Sequence, residues 1–366
     1  MTQVSRSEPQ VSEAHKYRVI QWATGATGSH ALRAIAEHPE LELVGTLVYS
    51  AEKAGRDVGE LVGIGPIGVT ATDDPDEILA LDADCVVHMS QMALDPRPHL
   101  DDICRILESG KNVVTTVLTD LIYPKVMGAE VVQRLEAACK AGGVSFHGTG
   151  IEPGWASEAL PLVLSGLWKR VDCVTVREIL DYATYPSRVT LFDLMGFGHP
   201  PERPCLIQLA IGAGKLFDAP LQMVADGLGV ELEAIRGFFE PVLAPETYDI
   251  ACGTIEKGTV AAMRFGLQGI IAGKPALVIE HVTRTRGDLA PEWPHGRGWS
   301  VDVEGEPSMR CTVQIATDGG DENDQGCLGT AMHAVNAIPL VCEAAPGIRT
   351  FLDLPMVLGR RSIRPR

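Results

Sequence analysis

The sequence lacks the marks of several large protein classes. No apolar run approaches the roughly 18 to 20 residues of a membrane-spanning helix. The first residues carry Glu8, Glu13 and Lys16 where a secretory signal would be apolar, so residues 1–16 are expected to form a flexible tail. We therefore expect a soluble protein with no membrane partner.

Basic residues are in a minority. The chain has 31 Lys and Arg against 48 Asp and Glu, which gives a formal net charge of −17 at pH 7. A nucleic-acid backbone is bound by clustered Lys and Arg that neutralise its phosphates. No nucleic-acid partner is therefore expected.

Paired cysteines and spaced metal ligands are missing as well. No two of the nine cysteines form a CxxC pair, and most have apolar neighbours. We interpret them as reduced, buried thiols of a cytoplasmic protein. The ten histidines lack ligand spacing relative to Cys, Asp or Glu, so no metal site is predicted.

A strand, a small-residue loop and a helix are the first features present. Residues 17–22 are a short β-prone run, residues 29–38 have helical character, and residues 41–49 form a second β-prone run. Together they make a βαβ unit of about the thirty residues expected for one half of a dinucleotide-binding site. Further strands and helices alternate up to residue 148, which predicts a parallel sheet.

The loop after the first strand has the small residues that a dinucleotide requires. Gly25 and Gly28 allow backbone amides and the helix N-terminus to approach a pyrophosphate. Ala23 stands at the first position of the common GxGxxG pattern, but a strand before the loop and a helix after it are the context that the motif needs. The expected cofactor-binding residues of this loop are Thr24, Gly25, Ala26, Thr27 and Gly28.

The pattern changes after residue 153. Long β-prone runs follow, as in residues 259–272 and 276–286, and they are joined like hairpins. We predict an α/β protein whose Rossmann domain, a doubly wound parallel sheet, covers residues 17–153, with residues 326–366 packing back on it. Residues 154–325 are predicted to form an α+β domain for substrate binding and dimerisation.

The end of the second strand bears on the choice of cofactor. A carboxylate there would bind the ribose hydroxyls of NAD and repel the extra phosphate of NADP. Residues 48–51 contain no acid, and Ser50, Lys53 and Arg56 are available to bind a phosphate. We therefore favour NADP(H), while Glu52 keeps NAD(H) open.

Other strand ends predict further neighbours of the cofactor. Residues at the carboxyl ends of parallel strands border the crevice of a Rossmann sheet. Ser90, Gln91, Thr116 and Thr149 are therefore expected beside the nicotinamide, and Thr149 is also a candidate for substrate binding.

Four segments taken together resemble one family. They are the loop at residues 22–28, residues 49–61, Phe192–Gly198 and Asn336–Pro339. The chain resembles, over about residues 17–354, the dihydrodipicolinate reductase-like group that includes 2,4-diaminopentanoate dehydrogenase and the native amine dehydrogenases. The resemblance implies a homodimer with an active site between the two domains. It also implies that a nicotinamide cofactor interconverts a small amine with a ketone or aldehyde plus ammonia.

The resemblance also implies site residues. A catalytic acid of the family lies shortly before a Tyr-Pro pair, and Asp120 is the matching residue here. The family commonly has Asn in the turn where this chain has Glu152, which makes Glu152 a second candidate acid. By the same resemblance Asn336 borders the cofactor, and the substrate-binding residues besides Thr149 are Trp155, Met195 and Phe197.

Three alternatives stay open at this point. The cofactor could serve the reduction of another C=N or C=O substrate. The loop also resembles that of semialdehyde dehydrogenases, which need an activated cysteine, and Cys327 after Gly326 is the candidate that the chain offers. The third alternative is a protein that binds NADPH without catalysis.

Overall fold

The computed structural model describes residues 16–91 and 95–363, so the predicted tail lies outside the described residues except for Lys16. The strands are β1 (Tyr17–Trp22), β2 (Leu41–Leu47), β3 (Ala71–Thr72), β4 (Cys85–His88), β5 (Asn112–Thr115), β6 (Ser145–Gly148), β7 (Arg170–Asp181), β8 (Ala234–Leu243), β9 (Tyr248–Ile250), β10 (Gly253–Ile255), β11 (Val260–Ile271), β12 (Lys274–Arg284), β13 (Gly298–Glu306), β14 (Met309–Val313) and β15 (Gly347–Ile348).

Helices connect and cover these strands. The α-helices are α1 (Ala26–Glu37), α2 (Val58–Leu61), α3 (Pro75–Ala80), α4 (Arg97–Glu108), α5 (Ala129–Gly142), α6 (Ala159–Ser165), α7 (Leu206–Gly212), α8 (Asp218–Leu228) and α9 (Glu322–Glu343). Two short 3-10 helices, Thr119–Ile122 and Pro124–Met127, and one π-helix, Val189–Met195, complete the set.

The first sheet is parallel throughout. Its strand order is β15-β6-β5-β4-β1-β2-β3, so the chain runs outward from β1 in both directions, as in a doubly wound sheet. The predicted Rossmann fold is confirmed. The register also fixes the site, because β1, β2, β4 and β5 all end at the same edge.

Both faces of this sheet are covered, as a parallel sheet requires. Successive side chains of a strand point to opposite faces. Val19 therefore packs with α1 and α9, while Ile20 packs with α4 and α5. The apolar strand runs thus reflect burial on both sides.

The second sheet is mixed. Its order is β14-β13-β7-β12-β11-β8, and all its pairs are antiparallel except β7 with β12. β11 and β12 form the hairpin that the sequence predicts, with Gly273 in the turn at φ +74°. Helix α8 and the π-helix pack on one face of this sheet and build its core with residues such as Phe192, Leu221 and Phe265.

Helix α9 joins the two parts of the molecule. It begins six residues earlier than predicted, because Asp321 accepts hydrogen bonds from the amides of Asn323 and Asp324 and so caps its start. Its apolar residues pack against α1 and β5 of the first sheet. The residue bounds that we assign to the two domains stay a prediction. In the described part of the chain, no helix is long and apolar enough to cross a membrane.

Candidate active site

A cavity of about 610 Å³ lies between the carboxyl edge of the parallel sheet and the second sheet. On the first side it is lined by Thr24, Gly25, Ala26, Thr27, Tyr49, Ser50, Lys53, Met89, Ser90, Gln91, Thr116 and Val117. The remaining lining residues are Ile151, Glu152, Glu178, Leu180, Tyr182, Tyr185, Pro186, Ser187, Thr190, Leu194, Trp299, Glu322, Asn323, Gly326, Cys327 and Thr330.

The start of α1 faces this cavity. Its N-cap residue is Gly25, no side chain caps it, and no acidic residue lies in its first turn. The first amides of the helix are therefore free to bind an anion, and the helix dipole favours one there. A Cβ added to Gly25 would have no atom within 4 Å, so open space lies beside this backbone.

Two residues hold the loop in this shape. Ala23 has a φ of +76°, a conformation that glycine adopts more readily, so alanine at the first motif position keeps the backbone shape of the usual glycine. Gly28 allows helix and strand to approach, because a Cβ on it would lie 2.3 Å from the carbonyl oxygen of Ala23. The loop therefore has the geometry of a dinucleotide site despite the altered motif.

The loop that follows β2 contributes a cation, Lys53. Lys53 Nζ donates to the carbonyl oxygen and to Oγ1 of Thr24, each at 3.0 Å, and so lies over the loop. Ser50 lines the cavity beside it. The Tyr49 hydroxyl accepts a hydrogen bond from Trp22 Nε1 at 2.9 Å and lies 3.0 Å from Ser90 Oγ. These contacts hold Tyr49 and Ser90 together in one wall of the cavity.

A buried carboxyl group faces the cavity from the other side. The side chain of Glu152 is 3% exposed, Oε1 accepts a hydrogen bond from the Ser157 hydroxyl, and Oε2 has no hydrogen-bond partner among the described residues. Burial, with a smaller contribution from the charges of Glu178 and Glu158, raises the pKa of Glu152 to about 8, although the charge of His281 and the hydrogen bond from Ser157 lower it. Such a group exchanges protons near neutral pH.

Three residues of the second sheet stand next to Glu152 in one row. Trp299 on β13, Glu178 on β7 and His281 on β12 are register neighbours. Glu178 accepts hydrogen bonds from Trp299 Nε1 at 3.0 Å, from His281 Nδ1 at 3.3 Å and from the Tyr182 hydroxyl at 3.4 Å. Three donors thus hold one carboxylate in the cavity wall.

His281 lies between the two carboxylates. Its Nε2 is 3.8 Å from Glu152 Oε1, and its ring stacks on Phe265 with centroids 5.0 Å apart and packs against Phe217 at 4.2 Å. Burial lowers the pKa of His281, but the hydrogen bond and charge of Glu178 and the charge of Glu152 outweigh burial and raise it above 6.5. Both carboxyl groups therefore favour the charged form of the ring.

Ten of the predicted site residues line the cavity together. They are Thr24, Gly25, Ala26, Thr27, Ser50, Lys53, Ser90, Gln91, Thr116 and Glu152. Their roles stay predictions, but the fold brings residues from five separate segments to one place.

Asp120 lies elsewhere. It is in the 3-10 helix Thr119–Ile122, outside the described lining of the cavity, and its Oδ1 is buried without a hydrogen-bond partner. Burial raises the pKa of Asp120 to about 6, Asp218 adds to this, and Lys215 opposes it. The 3-10 turn thus directs Asp120 toward the start of α8.

The seven other predicted residues also lie outside this lining. Met195 and Phe197 are buried in the apolar core of the second sheet. Thr149 bonds His333 Nδ1 at 2.7 Å, and Arg56 is exposed. Gly28 serves packing, as described above, and Trp155 and Asn336 are half-buried.

Sequence reasoning missed the residues that the second sheet contributes. A signal was present for two of them, since Glu178 and His281 interrupt otherwise apolar positions on the buried side of their strands. A buried strand position that carries a charge points to a site. Tyr182, Tyr185 and Trp299 carried no such signal, because aromatic residues are ordinary in a core.

The fold and the cavity define a class of protein. A doubly wound sheet presents an uncapped helix start at its carboxyl edge, and a buried carboxyl group faces that edge across a cavity. This is the arrangement of an NAD(P)-dependent oxidoreductase.

Comparison with known sequences names the family. The profile described as dihydrodipicolinate reductase, N-terminus, matches residues 19–119, and that described as 2,4-diaminopentanoate dehydrogenase C-terminal domain matches residues 157–362. The chain belongs to the dihydrodipicolinate reductase-like family that includes 2,4-diaminopentanoate dehydrogenase and amine dehydrogenases.

Individual relatives match nearly the whole chain. An amine dehydrogenase of Streptomyces virginiae is 36% identical, over 93% of this chain and 97% of the relative. A 2,4-diaminopentanoate dehydrogenase of Acetoanaerobium sticklandii is 25% identical, over 93% and 94%. The solved structure of an amine dehydrogenase from Mycobacterium smegmatis shares the fold, with a TM-score of 0.77 at 20% identity, over 94% of this chain and 98% of that one.

Proposed function

We propose that this protein is an amine dehydrogenase that interconverts a small amine with a ketone or aldehyde plus ammonia. The observation that carries the proposal is the position of Glu152, a buried carboxyl group that shares one cavity with the dinucleotide loop. The family supports the same chemistry, since two relatives are named as dehydrogenases of amines.

The reaction gives Glu152 two tasks. In the direction of amination, a carbonyl compound, ammonia, a proton and NADPH yield an amine, water and NADP⁺. Ammonia adds to the carbonyl carbon to give a carbinolamine, and the protonated Glu152 donates the proton with which the hydroxyl leaves as water. The iminium carbon that remains takes the hydride that bound NADPH supplies. In the reverse direction the ionised Glu152 takes a proton from the attacking water.

The cavity wall indicates the substrate class. Glu152, Glu178 and Glu322 line it together with aromatic side chains, and Lys53 is the single Lys or Arg among the lining residues that the structure describes. Carboxylates and aromatic faces stabilise an ammonium or iminium cation. A substrate carboxylate would meet repulsion there, so we propose amines without a carboxyl group.

For the cofactor we propose NADP(H) rather than NAD(H). Residues 48–51 contain no acid, and Lys53 and Ser50 lie where the second strand ends. A 2′-phosphate there would gain a charge-assisted hydrogen bond from Lys53. NAD(H) lacks the group that this cation recognises.

We further propose a homodimer in a reducing compartment such as the cytoplasm. The dimer rests on the family resemblance. All nine cysteines are free thiols, which suits a reducing environment. Light scattering on the purified protein tests the dimer directly, and a monomeric mass would exclude it.

Cys327 does not fit the semialdehyde alternative. It lies within α9, and burial raises the pKa of its thiol, opposite to the depressed pKa of an activated nucleophile. A Cys327→Ala variant should keep its turnover. Loss of activity on this substitution alone would favour the semialdehyde reaction.

The test of the proposed function is NADPH oxidation with a panel of ketones and aldehydes, with and without ammonium. We expect oxidation that depends on ammonium, and lower kcat/KM for 2-oxo acids than for carbonyl compounds of equal size without a carboxyl group. Carbonyl reduction without ammonium would support a simple reductase. Tight NADPH binding without turnover would support a cofactor-binding protein.

A further inference from the structure

We propose that Glu178 and His281 are positioning residues that control when Glu152 carries its proton. The inference rests on the proposed function, because it assigns partners to the acid of that reaction. It stands on a row of three side chains, Glu178, His281 and Glu152, that the second sheet and the loop after β6 bring together.

The geometry leaves His281 little freedom. Phe265 and Phe217 flank its ring, and Nδ1 faces Glu178 Oε1 at 3.3 Å. Because a carboxylate only accepts, Nδ1 must be the donor in this contact. Nε2 is thereby directed toward Glu152, and it has no hydrogen-bond partner among the described residues. One buried ring thus couples two carboxyl groups of the cavity wall.

Several charged groups face this row. The charges of three residues act on Glu152: His281 on β12, Glu178 on β7 and Glu158 at the start of α6. The charge of Glu280, the neighbouring residue on β12, also acts on His281. Arg177 and Arg264 bind Glu280, so its charge is largely compensated. The groups that remain to act on Glu152 are His281 and two acids, Glu178 and Glu158.

These two partners act on Glu152 with opposite sign. The His281 cation favours the carboxylate and lowers the pKa of Glu152, whereas the Glu178 anion disfavours the carboxylate and raises it. Neutralising His281 should therefore move the titration of Glu152 to higher pH. Neutralising Glu178 should move it to lower pH. A purely structural role would not give shifts of opposite direction.

The experiment is a pH titration by NMR of protein labelled with carbon-13 at the glutamate side-chain carboxyl. The wild type should show a resonance that titrates near pH 8 and disappears in Glu152→Gln. In His281→Gln this resonance should titrate about one pH unit higher, and in Glu178→Gln about one unit lower. Glu178→Asp keeps the charge and should restore the wild-type midpoint.

Thr283→Val is the matched control. Thr283 is two residues from His281 on the same buried face of β12 and is uncharged, so this variant should keep the wild-type midpoint. The inference is overturned if the midpoint stays put in both charge variants, if it moves the same way in both, or if Thr283→Val moves it equally. Should His281→Gln not fold, Glu178→Gln and Glu178→Asp decide alone.

The same proteins separate this inference from the proposed function. In the amination direction, kcat should fall as pH rises through the Glu152 midpoint, and this descending limb should follow the NMR midpoint in each variant. An inactive wild type with opposite NMR shifts would reject the reaction and keep the coupling. An active wild type with unmoved midpoints would reject the coupling and keep the reaction.

Discussion

Replacing Glu152 with Gln should make the protein more stable and less active. Glu152 is buried, and its pKa of about 8 in the folded state lies above its ordinary value of 4.5. The folded state therefore holds this proton more tightly than the unfolded state does. The stability that the neutral group provides is complete below pH 4.5 and is lost as pH rises through about 8.

The magnitude follows from this difference. Between pH 4.5 and about 8, each pH unit lowers the free energy of unfolding of the wild type by about 1.4 kcal/mol. At pH 7 the loss is on the order of 3 kcal/mol, and Glu152→Gln, which has no group to ionise there, avoids it. Gln cannot donate or take the proton, so turnover should fall by about 100-fold to 10,000-fold. A gain in stability with a loss of activity is typical of catalytic groups held in unfavourable surroundings.

The assay is urea unfolding at pH 5 and at pH 7, together with steady-state kinetics. Glu158→Gln is the matched control, because Glu158 is also buried with a pKa raised to about 8 by burial, yet it lies outside the described lining of the cavity. It should gain stability similarly and keep turnover within severalfold. A stability gap for Glu152→Gln that is equal at both pH values, or full turnover, would refute the reasoning.

Three further predictions concern Lys53, the glycines of the dinucleotide loop, and Asp120. Lys53→Ala should raise KM for NADPH roughly 10-fold, which corresponds to the loss of one charge-assisted hydrogen bond. KM for NADH should change less, and an equal rise for both cofactors would mean that Lys53 only stabilises the loop. Gly28→Ala should lower the free energy of unfolding by roughly 1–3 kcal/mol, because its Cβ meets the Ala23 carbonyl oxygen, whereas Gly25→Ala should weaken NADPH binding without such a loss. Asp120→Asn should keep turnover within severalfold, and a loss as large as that of Glu152→Gln would make Asp120 the catalytic acid.

The side of the cavity formed by the dinucleotide loop could be predicted because its sequence signals are local. Residues 23–28 form strand end, loop and helix start within a few positions, so the pattern is visible without the rest of the chain. The parallel sheet followed in the same way from alternating strands and helices. The alanine at the first position of the motif does not change the backbone there, since Ala23 adopts the positive φ expected of a glycine.

The cavity wall formed by the second sheet could not be predicted in this way, because it depends on contacts between residues far apart in sequence. Glu178 meets His281 across 103 positions of sequence and Trp299 across 121. Their unusual places on buried strand faces could be noticed, but which strands pair is set by the whole sheet. Likewise, the motif that predicts Asp120 could not reveal that Asp218 and Lys215, nearly a hundred positions away, lie near it.

The most direct measurement of the proposed reaction follows both transferred groups at once. The purified protein is incubated with NADPH deuterated at the reactive C4 position, nitrogen-15 ammonium and a ketone, and the product is analysed by mass spectrometry. We expect an amine that carries one deuterium on the former carbonyl carbon and nitrogen-15 as its amino nitrogen. A deuterated alcohol without nitrogen, or no product from any carbonyl compound of the panel, would contradict an amine dehydrogenase.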